Sequence, residues 1–279
     1  MVVLKPSSPW AMNYAEDSCH LARTFGEGEE KVTAEFRQFG PTRDFVLVLI
    51  GKSLERFRGR KNPLVTDFLP LGAHEEHPYA LSGKLPDGRQ LIQASTSFAP
   101  EEDNTYIAGK DNRGSWQPDP ADAEPIVPDR AVEANVEQLR VSGPFRAPLL
   151  LELGPMDRPM DAMRICLDEL LTHWGIDAQA HHSLSRRAAP ANHPADWLSP
   201  HDYPTMMLRE GKGAAVHFRL MVDETGVPAE CIVQTAMGDG FDELTCRLLK
   251  KRARFTPALD AEGRPIGSFY TNTVSWSAG

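Results

Sequence analysis

Val216, Phe218, Leu220 and Val222 alternate with mostly polar residues, which makes one face of an extended segment apolar. Such a face must be buried, and the residues that follow supply the cover. Thr225-Gly226 breaks the alternation as a hairpin connection does, with the glycine free to take positive φ. Cys231, Val233, Thr235 and Met237 then line one face of a return strand, which Gly238 and Gly240 close. Phe241, Leu244, Leu248 and Phe255 recur at helical spacing. Asp242 and Glu243 stand near the positive end of that helix, with Lys250, Lys251, Arg252 and Arg254 at its negative end. Pro257 stops it. Ile266 to Trp276, rich in β-branched and aromatic residues, reads as a last strand.

These residues resemble a known family. Tyr203-Pro204 before a short helix, the VHFRLMVDETGVP hairpin, the FDELTCRLLKKRARFTPA helix with its exit, and the Gly-x-Pro lead into the last strand are similar to the TonB C-terminal domain. That domain is the periplasmic end of energy transducers that contact outer-membrane receptors. The resemblance spans residues 200–279 and implies a ββαβ domain, an antiparallel sheet covered by a helix. In the family, the segment after the covering helix pairs with short receptor peptides. The carry-over here is to Gly267 through Ser275, with Tyr270, Asn272 and Val274 contacting the partner. Thr235-Ala236-Met237-Gly238 departs from the Ser-Ser-Gly turn usual in the family. The proline-rich spanner and membrane anchor of a full transducer have no counterpart in this sequence. The resemblance therefore implies a TonB-like binding module attached to a partner domain. Its partner would be an outer-membrane receptor or another envelope protein, met by strand addition and linked to TonB-dependent transport, or a second copy paired through the same sheet edge.

Length and charge bound the rest. A chain of 279 residues suggests two domains. The net charge of −9 argues against nucleic acid or an anionic membrane surface as the main partner. From Pro200 onward, 9 Lys and Arg stand against 10 Asp and Glu, so the acidic excess belongs to the N-terminal part. The longest apolar run, Phe45 to Ile50, is strand length and far below the roughly 20 residues of a membrane helix. Lys5 and Pro6 follow too few apolar residues for a signal peptide. Met1 followed by Val-Val-Leu-Lys-Pro reads as a start placed after a removed export signal, the alternative being a cytosolic protein. The expected location is the periplasm.

The four cysteines admit three pairings, or none. On the fold above, Cys231 faces inward from a strand and Cys246 lies on the helix that covers it. A bridge there leaves Cys19 to pair with Cys166 by elimination. Two disulfides fit an oxidising compartment. The alternative is four buried free thiols, which behave as small hydrophobes.

Residues 1–182 read as an α+β domain of unknown family, mostly β with one covering helix, and 183–200 as a linker before the domain at 201–279. Trp10 to Ala22 suggests a turn or short helix around Cys19. Val32, Ala34 and Phe36, then Phe45 to Ile50, read as strands separated by Gly40-Pro41. Leu81 to Phe98, around Pro86-Asp87-Gly88, reads as a hairpin, and 118–128 as a loop. Val132 to Leu153 fits strand, with a short helix over Val132, Val136 and Leu139 as the alternative. Met160, Met163, Leu167, Leu170, Leu171 and Trp174 form an apolar helical stripe, with Asp157 as N-cap and Gly175 as its stop.

No catalytic constellation emerges. His74-Glu75-Glu76-His77 spaces its histidines three apart, whereas a zinc-binding HExxH needs four, and the setting reads as a solvated loop. His181, His182, His193 and His201 are scattered in or beside the linker. Gly26-Glu27-Gly28 precedes Glu29 and Glu30, which would repel a phosphate. Ser183 and Ser185 lie near histidines in sequence only. Glu101, Glu102 and Asp103 read as a charged loop. No cofactor and no metal are expected, and the function expected is protein binding rather than catalysis. The second reading is a periplasmic ligand-binding protein or hydrolase, in which residues 1–182 carry the activity and the C-terminal module localises it.

Overall fold

A computed structural model describes residues 1–54, 63–78, 80–98, 123–126, 129–143, 145, 147–234 and 240–276. The chain divides into two compact units. One holds Met1–Asn104 and Ile126–Leu170, the other Thr105–Pro125 and Leu171–Gly279. The architecture is α+β.

The first unit is built on two sheets. The larger orders its strands β2 (Ala11–Ala15), β3 (Ser18–Phe25), β4 (Val32–Gln38), β5 (Phe45–Gly51), β9 (Gln90–Thr96) and β8 (Leu81–Lys84). The other runs β1 (Val2–Leu4), β11 (Leu149–Glu152), β10 (Gln138–Ser142), β6 (Leu64–Leu69) and β7 (Ala73–His77). Period-2 patterning decides which faces meet. Val32, Ala34 and Phe36 alternate inward on β4, and Leu47 and Leu49 do so on β5. Phe36, Phe45, Phe68 and Phe98 pack together with ring centroids 4.9–6.4 Å apart, which joins β4 and β5 of one sheet to β6 of the other.

Two helices belong to the same stretch of chain, α1 (Arg130–Asn135) and α2 (Asp157–His173). The apolar stripe of α2 is buried through Met160, Met163, Leu167 and Leu170. Gly175, at φ 77°, follows its end, a conformation that costs glycine little. Buried Glu133 of α1 meets Arg164 of α2 at 2.8 and 3.0 Å. Cys19 and Cys166 are bridged (S–S 2.00 Å), which ties β3 to α2.

Three expectations for this unit need correction. Trp10–Ala22 is neither turn nor helix but the β2–β3 hairpin, because Cys19, Leu21 and Phe25 share one buried face of β3. Val132–Leu153 is not one kind of element: α1 comes first, then β10 and β11. His74–His77 is not a solvated loop but strand β7, with buried His77 held 2.8 Å from the Thr66 hydroxyl. Most of the 118–128 loop, and all of Glu101, Glu102 and Asp103, lie outside the described residues.

The second unit has a three-stranded antiparallel sheet, β14 (Pro228–Val233), β13 (Ala214–Val222) and β18 (Ser268–Trp276), with β13 central. Helix α5 (Phe241–Arg252) covers one face. Between the end of α2 and β13 the chain forms α3 (Ala178–His182), β12 (Ala189–Pro190) and α4 (Thr205–Arg209). After α5 come β15 (Phe255–Thr256), β16 (Ala258–Leu259) and β17 (Pro265–Ile266). Val216, Phe218, Leu220 and Val222 are all buried beneath α5, as their alternation requires.

The helix ends earlier than the apolar spacing suggests. Ala253 is already extended (φ −68°, ψ 140°), and Phe255 belongs to β15, paired with Pro190. Pro257 bars a longer helix, since it pushes Thr256 out of the α region and can neither donate to the Ala253 carbonyl nor clear it sterically. Residues 183–200, read as a linker, take part in this unit's core: Leu184, Ala188 and Trp197 are buried with Phe218, Leu249 and Phe255. Thr235, Met237 and Gly238 lie outside the described residues.

Candidate functional site

Strand β18 is an edge. It pairs with β13 through nine consecutive positions, from Ala214–Trp276 to Val222–Ser268. Among the described residues no strand pairs with its other side, nor with the outer side of β14. The two edges differ in chemistry. β14 opens on Pro228, carries Glu230, and its ladder with β13 is irregular between Met221 and Val222. All three features discourage an incoming strand. β18, with sequence SFYTNTVSW, has no charge, no proline and an uninterrupted register. Its unpaired backbone N–H and C=O groups can therefore continue the ladder.

Period-2 geometry sorts the β18 side chains. Tyr270, Asn272, Val274 and Trp276 stand opposite Leu220, Phe218, Val216 and Ala214, on the side that α5 covers. Tyr270 is half-buried, with its ring 4.9 Å from Phe255 and 5.8 Å from Trp197. Val274 is half-buried against the same core. Asn272 is exposed, and its amide donates to the Tyr270 hydroxyl at 2.8 Å. Trp276 is buried, with its indole N–H donating to Thr245 Oγ1 at 2.9 Å. On the other face, Phe269 packs against Trp174 and His181, each 5.2 Å away, and the Arg219 guanidinium lies 3.9 Å over the Trp174 ring. These contacts pack both faces of β18. A strand fixed this way loses little further entropy on gaining a neighbour.

Two covalent or ionic ties fix the frame. Cys231 of β14 is bridged to Cys246 of α5 (S–S 1.95 Å). Asp202 takes both guanidinium nitrogens of Arg252, at 2.6 and 2.8 Å, and accepts from the Ser199 backbone and hydroxyl. The Arg252 hydrogen bonds hold the Asp202 carboxyl well below the usual carboxylate range. At the Ser268 end of β18 a cavity of about 310 Å³ opens between Ile176, Leu184, Met221 and Gly267.

Residues 199–277 match the family model of the Gram-negative bacterial TonB protein C-terminal. The TonB-like segment thus begins at the Ser199 cap and takes in α4, the β13–β14 hairpin, α5 and β18. No curated protein and no solved structure matches the chain. Trp174, His181, Leu184 and Trp197, which buttress the segment, precede it in sequence. Trp174, read as the last residue of the α2 stripe, lies past the end of that helix and packs on Phe269 instead, while His181, Leu184 and Trp197 are too widely spaced to show a period.

Ser183 donates to the Ala180 carbonyl and Ser185 to the Asp260 carbonyl, so both hydroxyls serve the backbone. Among the described residues no group of three or more His, Cys, Asp or Glu is placed to hold a metal ion. None of the helices described is long and apolar enough to cross a membrane.

Proposed function

We propose that this protein is a periplasmic interaction protein whose TonB-like segment docks an envelope protein or receptor peptide by adding the partner's strand to β18. The reading rests on one observation: β18 is an edge nine residues long with no charge, proline or bulge, in a segment that matches the TonB C-terminal family. Tyr270, Asn272 and Val274 lie on this strand, and of the three Asn272 is the exposed one. About five backbone hydrogen bonds, at roughly 0.5–1.5 kcal/mol each, offset only part of the cost of association, so side-chain contacts must supply the rest. Two disulfides in one chain support the periplasm, which is oxidising. A role in TonB-dependent transport follows if the partner is an outer-membrane receptor.

The test is a titration of the isotope-labelled full chain with extended peptides from outer-membrane receptors, followed by backbone amide shifts. Shifts confined to Gly267–Trp276 and its neighbours are expected. Asn272→Lys, which places a charge on the edge, should weaken binding about tenfold with little change in melting temperature. Shifts that leave β18 untouched while mapping elsewhere would refute strand addition.

A further inference from the structure

A second cavity, of about 700 Å³, lies wholly within the first unit, between the β2–β3 hairpin and the start of α2. That volume falls in the range of small-molecule sites. Trp10, Met12, Leu21 and Leu153 give it apolar walls, and Arg23, Arg158 and Asp157 supply its charges. The Cys19–Cys166 bridge holds β3 and α2, the cavity's two sides, in fixed register.

Arg23 is the residue out of place. Alternation along β3 puts Cys19, Leu21, Arg23 and Phe25 on one face, and the other three are buried apolar residues. Arg23 stands opposite Ala34, a small residue that leaves room for it. Its Nε and Nη1 donate to the carbonyls of Ser8 and Leu153, each at 2.9 Å. Its guanidinium lies 5.6 Å from the Trp10 ring centroid and 6.0 Å from that of Phe25. Among the described residues no carboxylate pairs with it. A partly buried cation fixed by two carbonyls and two rings keeps its charge but has no counter-ion, which is costly unless something supplies one. Arg158, exposed at the same cavity, likewise has no partner among the described residues.

We propose that the first unit binds a small amphipathic carboxylate, its apolar body against Trp10, Met12 and Leu21 and its carboxylate between Arg23 and Arg158. A neutral apolar molecule would leave Arg23 without a counter-ion, and a cation would meet two guanidiniums and only one carboxylate. The site gives this unit a ligand-binding role distinct from the strand edge.

Calorimetric titration of the full chain with octanoate and with 4-phenylbutyrate tests this, using 1-octanol and 4-phenylbutan-1-ol as neutral counterparts. At least one carboxylate should bind tenfold or more tightly than its alcohol, and which one does so identifies an alkyl or an aromatic body. Arg158→Gln, an exposed and unpartnered position, should reduce that preference several-fold without altering the alcohol. Ala162→Trp, which fills the cavity from α2, should abolish binding with the circular dichroism spectrum unchanged. Equal or tighter binding of the alcohols, no binding by either acid up to its solubility, or full binding in folded Ala162→Trp would each overturn the proposal. Arg158→Gln keeps the test decisive if Ala162→Trp does not fold.

Discussion

Gly226 shows how little room one position can leave. It sits in the β13–β14 turn at φ 84°, and a Cβ built there would lie 1.9 Å from the Phe255 carbonyl oxygen. The same approach allows the Phe255 N–H to donate to the Gly226 carbonyl at 2.9 Å. Gly226→Ala must accept a left-handed backbone and move the strand at the helix exit. A loss of about 3 kcal/mol is expected, readable as a lower urea midpoint. His77 carries a pH signature in the first unit. Burial pushes its pKa from the ordinary 6.5 down to about 4. The unfolded chain therefore takes up the proton first, and His77's contribution, complete above pH 6.5, is lost as pH falls toward 4. The loss amounts to roughly 3 kcal/mol. Glu75, 3.9 Å away, acts in the opposite sense, because burial raises its carboxyl and acid relieves it. Replacing His77 with Gln should flatten stability between pH 6.5 and 4, and an unchanged slope in denaturant titrations would assign the effect elsewhere.

Among the elements, the β13–β14 hairpin and α5 were legible because each has an apolar period or a glycine at its turn, and β18 because it is rich in β-branched and aromatic residues. The β2–β3 hairpin was not. The β2 strand is an edge with mostly exposed residues, and inward-facing Arg23 interrupts the apolar alternation of β3. Strand β18 could be placed from sequence, but not the direction of its side chains. SFYTNTVSW offers two interleaved sets, and only the register with Leu220 and Val216 shows that Tyr270 and Val274 lie on the α5 side. The staple between β14 and α5 was legible once both elements were placed. It closes a separation of 15 residues, which in the chain-entropy model is worth about 3 kcal/mol. Cys231→Ala with Cys246→Ala should lower stability by about that amount and loosen the edge opposite β18, while receptor-peptide binding at β18 survives below the new melting temperature. Loss of peptide binding in the folded double variant would show that β18 depends on the staple.

For the molecule as a whole, the family match and the compact unit do not coincide. The match starts at residue 199, whereas the stretch of the unit that contains it starts at Leu171. Leu184, Ala188, Ala189 and Trp197 fall in the difference, and all four are buried. β12 pairs with β15, and Asn192 accepts from the Trp197 indole and from the Arg254 backbone. A fragment cut at residue 199 should aggregate or melt well below one cut at 171, as light scattering and thermal denaturation would record. The TonB-like segment of this chain is thus not a cassette. Grafted onto another carrier by its family boundaries alone, it would arrive with an open seam, and any gene fusion that keeps it working has to bring along the preamble that closes it.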